Sequence, residues 1–159
     1  MAGDLDRRLR AIFAAHNARV DKREREAEEA KKRQFETVSR MHEHLSKVIV
    51  PALRRIADSI QMTGQKVTVV ETGPIGSPEI STAQVKLTII PRGHDTADPN
   101  ELPRIVFQSG REGISATGYS YFPGRGGHVG AGHVYQPAEL TMQAVESLVL
   151  ELVEETFGD

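Results

Sequence analysis

FETVSRMHEHLSKVIVPALRRIADSI, Phe35–Ile60, is the stretch on which the fold turns. Phe35, Val38, Met41, Leu45, Val48 and Ile49 recur every few residues, the spacing of one face of an α-helix. Ala52, Leu53, Ile56, Ala57 and Ile60 resume that spacing beyond Pro51. A proline lacks the amide hydrogen, collides with the carbonyl one turn back and pushes the preceding residue toward extended geometry. Pro51 therefore predicts a kink or short break after Val50, followed by a second helix that Gly64 would stop.

Upstream, nothing interrupts a helix. Between Asp4 and Val50 there is neither Pro nor Gly, and Ala, Glu, Lys, Arg and Gln dominate. Leu5–Val50 would extend about 69 Å at roughly 1.5 Å per residue. A folded body of about a hundred residues has a radius of gyration near 13 Å. Such a helix cannot bury its whole length on its own domain. Leu5, Leu9, Ile12, Phe13, His16 and Val20 form one apolar set, within roughly 30° of the face that resumes at Phe35. Ala27, Ala30 and Gln34 carry the face thinly through the middle.

The phase slips between the two sets, which fits a broad helix–helix contact better than a strict heptad seam. The expectation is a coiled-coil-like oligomerisation helix over residues 1–50, in contact through Leu5, Leu9, Ile12, Phe13, His16, Val20, Phe35, Val38 and Leu45. Its centre, DKREREAEEAKKRQ (Asp21–Gln34), mixes both signs and pairs Asp21–Arg25, Glu28–Lys32 and Glu29–Arg33 acid-before-base at i,i+4. Each pair stabilises an exposed helix by about 0.2–0.5 kcal/mol, so the run reads as a solvated helical rod.

Downstream the periodicity changes to two. QKVTVVET (Gln65–Thr72), AQVKLTIIP (Ala83–Pro91), LPRIVFQSG (Leu102–Gly110) and GISATGYSYF (Gly113–Phe122) read as four strands. Val85, Leu87 and Ile89 share one face of the second, Ile105 and Phe107 one face of the third. GPIGSPEIST (Gly73–Thr82) reads as a loop or wide hairpin connection, and Arg92–Asn100 as a polar turn. Connections this short favour antiparallel neighbours. Pro137 and Thr141 can each start a final helix, along which Leu140, Val145, Leu148, Val149, Leu152, Val153 and Phe157 form an apolar stripe, with Gly158 placed for a left-handed cap. The fold class expected is α+β. A long N-terminal helix leads a four-stranded, mostly antiparallel sheet, and an amphipathic C-terminal helix packs on it as a two-layer domain over 51–159.

Composition narrows the function. The 159 residues contain no cysteine, which removes disulfides, thiol nucleophiles and Cys-ligated zinc. No stretch approaches the roughly 20 apolar residues of a membrane span, and no apolar run resembles a leader, so the expectation is a cytoplasmic protein. Residues 1–62 carry 14 Lys/Arg against 10 Asp/Glu, and residues 63–159 carry 6 against 12. An acidic body argues against a nucleic-acid platform, because neutralising phosphates supplies most of that affinity.

One segment has the composition of a site: PGRGGHVGAGH, Pro123–His133. Its glycines could turn backbone amides toward an anion, with Arg125 as fixed charge, although it matches neither established phosphate-loop pattern. Arg125, Gly126, Gly127, His128, His133 and Tyr121 are the ligand- or partner-binding candidates. His94, His128 and His133, with Asp95, are the metal alternative, short of a fixed three-ligand geometry. His42 sits beside the apolar stripe, where titration would make a contact pH-sensitive. The layout, a leading helix and a small sheet-and-helix head, resembles the globular heads of kinetochore coiled-coil subunits, a likeness that transfers no function. The expected function is an oligomerising scaffold that pairs with itself, as a two-fold dimer, and binds another protein, with no cofactor and no catalytic residue. The alternative is a small-ligand- or metal-binding enzyme using 123–133.

Overall fold

The computed structural model describes residues 2–75 and 82–158. The chain divides into two compact units, Met1–Glu36 and Thr37–Asp159. Helix α1 (Ala2–His44) supplies the first unit and enters the second; a single π-helical turn, Leu45–Ile49, joins it to α2 (Val50–Gln61).

The kink or break expected at Pro51 is replaced by that turn. Val50 keeps helical geometry (φ −59°, ψ −49°) instead of the extended geometry expected before proline, and its amide reaches back to the Leu45 carbonyl. Widening the turn ahead of the ring makes room for it, and shifts the ladder where the proline has no donor to give. Leu45, Ile49, Ala52 and Leu53 are buried on either side, so packing holds the widened turn in place. Gly64 follows α2 with φ +97°, the left-handed stop its position predicts.

Five strands follow: β1 (Lys66–Ile75), β2 (Thr82–Ile90), β3 (Arg104–Ser109), β4 (Ile114–Tyr119) and β5 (His133–Tyr135). They form one sheet in sequence order, with every neighbouring pair antiparallel. The expected four strands become five because β5, only three residues long, starts at the last residue of the glycine-rich segment and is too short to show alternation; Ile114–Ala116 pairs with it. Gly73–Ile75 extend β1 and Thr82 opens β2, with an irregular register between Thr72 and Ile75; the rest of the expected loop, 76–81, lies outside the described residues.

Register puts one apolar row across the sheet: Val85 opposite Phe107 and Phe107 opposite Ala116, beside Leu87 opposite Ile105. Phe107, Leu87 and Ile89 are fully buried. Thr141 caps the last helix, α3 (Met142–Phe157), by accepting from the Ala144 amide, after a 3₁₀ turn that begins at Pro137. Gly158 is extended (φ −70°) rather than left-handed, with its amide bonded to the Glu154 carbonyl. Val145, Val149 and Leu152 of α3 join Leu53 and Ala57 of α2 in one cluster with the sheet's apolar face. Val70 and Val134, which point to the opposite face, are exposed. Among the described residues no helix is long and apolar enough to cross a membrane.

Candidate functional site

In the first unit, α1 displays its apolar set to solvent. Leu5, Leu9, Ile12 and Phe13 are 42–60% exposed, and Phe35 is exposed with them. His16 is exposed and Val20 half-buried, whereas Val38 and Leu45 of the same expected contact set are core residues of the second unit. Scattered surface leucines are ordinary, but four large apolar side chains on two consecutive turns make a patch.

The glycine-rich segment is the outer half of a long hairpin. Phe122 exchanges a bridge with Gly126, and Tyr119 with Val129, continuing the pairing of β4 beyond its end. The turn is Phe122–Pro123–Gly124–Arg125, closed by the Arg125 amide donating to the Phe122 carbonyl at 3.0 Å. Pro fits the first corner and Gly124, at φ +81°, the second, which is the type II pattern. Gly126 is also left-handed (φ +70°). A Cβ on Gly127 would fall 2.0 Å from the Ser120 carbonyl oxygen, so close strand approach accounts for that glycine. The Arg125 and Gly130 amides are taken up inside the hairpin, which leaves them unable to cradle an anion.

Each histidine of the metal alternative has gone to a different neighbour. His94 packs edge-on against Phe122 (5.2 Å between centroids), and His133 lies against Tyr135 (6.3 Å). His128 directs Nε2 at Glu155 Oε1 of α3, 2.5 Å away, and its Nδ1 lies 3.4 Å from Ser120 Oγ. Ser, His and Glu in a row suggest a nucleophile relay, yet the Ser120 hydroxyl is buried and donates to the His128 carbonyl (3.1 Å). The His128 carbonyl is nearer to that hydroxyl than Nδ1 is, and the row ties the hairpin to α3. Among the described residues no three His, Cys, Asp or Glu side chains converge as a metal site.

Arg125 lies over Phe122 (4.7 Å), and Phe122 meets Phe157 of α3 edge-on (5.8 Å). Tyr121 stacks with Tyr119, and the Arg104 guanidinium lies 4.1 Å above Tyr119 while bonding the carbonyls of Pro99, Asn100 and Leu102. Arg104 is thus committed to the fold. The rings of Tyr119 and of the candidate Tyr121 are partly taken up by it.

A feature absent from the sequence reading is a groove of about 560 Å³ between α2 and α3, reaching down to Ile89 of β2. Its walls are Ile56 and Ile60 on one side and Val153 and Phe157 on the other, with Arg55 and Glu146 paired at 3.7 Å on the rim. Both wall pairs had the spacing of core residues. Only the separation of the two helices shows that they line a cleft; Leu150, three residues before Val153 on α3, is exposed.

Near the end of α1, His44 Nε2 meets the Leu140 carbonyl at 2.7 Å. His42 is half-buried, its Nε2 is enclosed without a hydrogen-bond partner, and burial holds its pKa below the ordinary value. Compared with family models, with curated proteins and with solved structures, the chain matches none.

Proposed function

We propose that this chain is a self-associating scaffold. The apolar face of Leu5–Val20 binds a second copy, and the open face of the sheet is left to another protein. The observation that carries the reading is the exposure of Leu5, Leu9, Ile12 and Phe13 on one face of a helix that is otherwise strongly charged. Covering that face removes apolar area from water at about 25 cal/mol per Å², the term that drives most association. A homodimer with two-fold symmetry satisfies both copies at once.

Light scattering on the intact protein tests it. At tens of micromolar the wild type is expected to be a dimer, and the Leu9→Glu, Phe13→Glu variant a monomer with unchanged helical content. A wild type that stays monomeric there removes the proposal.

A further inference from the structure

We infer that the seat for the Leu5–Val20 helix is the groove between α2 and α3 of a second copy; this rests on the self-association proposed above. Both surfaces are apolar, the helix stripe exposed and the groove walls half-buried with Phe157 exposed, and they repeat alike. Leu5, Leu9 and Phe13 follow one another at i,i+4, as do Ile56 and Ile60 on one wall and Val153 and Phe157 on the other. Ridges one turn apart on a helix fit grooves of the same pitch, the geometry by which a third helix lies across two.

Charge selects this seat over pairing of the two N-terminal segments with each other. Leu5–Val20 holds four arginines (Arg7, Arg8, Arg10, Arg19) against one aspartate, so like would face like in a homotypic pair. Helices α2 and α3, the two walls of the groove, together hold five acidic residues (Asp58, Glu146, Glu151, Glu154 and Glu155) against two arginines (Arg54 and Arg55). On the rim itself Glu146 is paired with Arg55, so the attraction comes from the surplus of acid over the two helices. Opposite potentials favour the docked register, and the like-charged alternative is disfavoured. The thin, phase-slipped middle of α1 adds little to a long homotypic seam. Two reciprocal contacts, each helix in the other copy's groove, close a two-fold dimer.

The absence of cysteine permits a direct test. Ile12 lies mid-stripe and Ser59 is an exposed residue lining the groove, so they approach each other whichever way the helix runs. Single-cysteine Ile12→Cys and Ser59→Cys proteins are mixed, allowed to exchange, and treated with a short bis-maleimide. Hetero-cross-linked dimer as the dominant product is expected. Leu150→Glu, at an exposed position beside the groove, is expected to raise the dimer dissociation constant at least tenfold. A dimer in which Ile12→Cys links only to itself, with Leu150→Glu without effect, overturns the groove seat and leaves self-association standing. Native mass spectrometry showing a small molecule retained by each dimer, with no hetero-cross-link, likewise overturns it. A monomer by light scattering removes both readings together.

Discussion

The two ends of one helical stripe have opposite fates. Leu5, Leu9, Ile12 and Phe13 stand in solvent, while Val38, Met41, Leu45 and Ile49 are 0–5% exposed in the core of the second unit. Both sets recur at helical spacing on neighbouring faces of the same run. Periodicity therefore states which face of a helix is apolar, and only the presence of a sheet and a second helix against it states that the face is covered. An uncovered stripe leaves apolar area in water; a covered one contributes stability.

The contrast breaks most directly at matched truncations. Leu45→Ala is expected to cost about 2–5 kcal/mol in urea denaturation, because it leaves a cavity in a packed core. Leu9→Ala, measured at a dilution where dimers dissociate, is expected to stay within about 0.5 kcal/mol of wild type. Equal losses at the two positions would mean that the N-terminal stripe is covered within the monomer. The boundary sharpens with a closer pair. Val38→Ala should cost about 1.5 kcal/mol or more, at roughly 0.8 kcal/mol per buried carbon, whereas Phe35→Ala, three residues earlier and exposed, should cost little under the same dilution.

The smallest effect is on pH. His42, on the covered side, has its pKa lowered by burial from 6.5. Above that value neither the folded nor the unfolded chain carries the proton, and the stabilisation is whole. As pH falls below 6.5 the unfolded chain takes up the proton first, so stability declines until the folded-state pKa is passed. Denaturation midpoints between pH 7 and pH 5 should show that decline in wild type and a shallower one in His42→Leu. Identical slopes would show that His42 is not its source.

Much of the second unit was legible. Val85, Leu87 and Ile89 alternate cleanly, and a strand buried on one face has no other way to satisfy that pattern. Thr141 announced the start of α3 through a local side-chain bond, which depends on no distant residue. β5 was not legible, because three residues cannot show a period and its strand character comes from pairing with Ile114–Ala116. The glycines of 123–133 invited an anion-binding reading. Their roles come from two corner conformations and from the approach of Gly127 to Ser120, a distance set by the paired strand. The α2–α3 groove was hidden for a related reason: core and cleft residues share one spacing, and they differ only in what lies opposite.

Local chemistry by itself determined the long helix, the alternation of the central strands, the Thr141 cap, the Gly64 stop and the charge division between the two halves. Each depends on neighbours within a turn or two of chain. Tertiary structure decided the π turn that carries the helix through Pro51, the fifth strand, the distant partners of His94 and His128, and the groove between α2 and α3. Those depend on groups far apart in sequence and close in space, where packing and desolvation outweigh local preference.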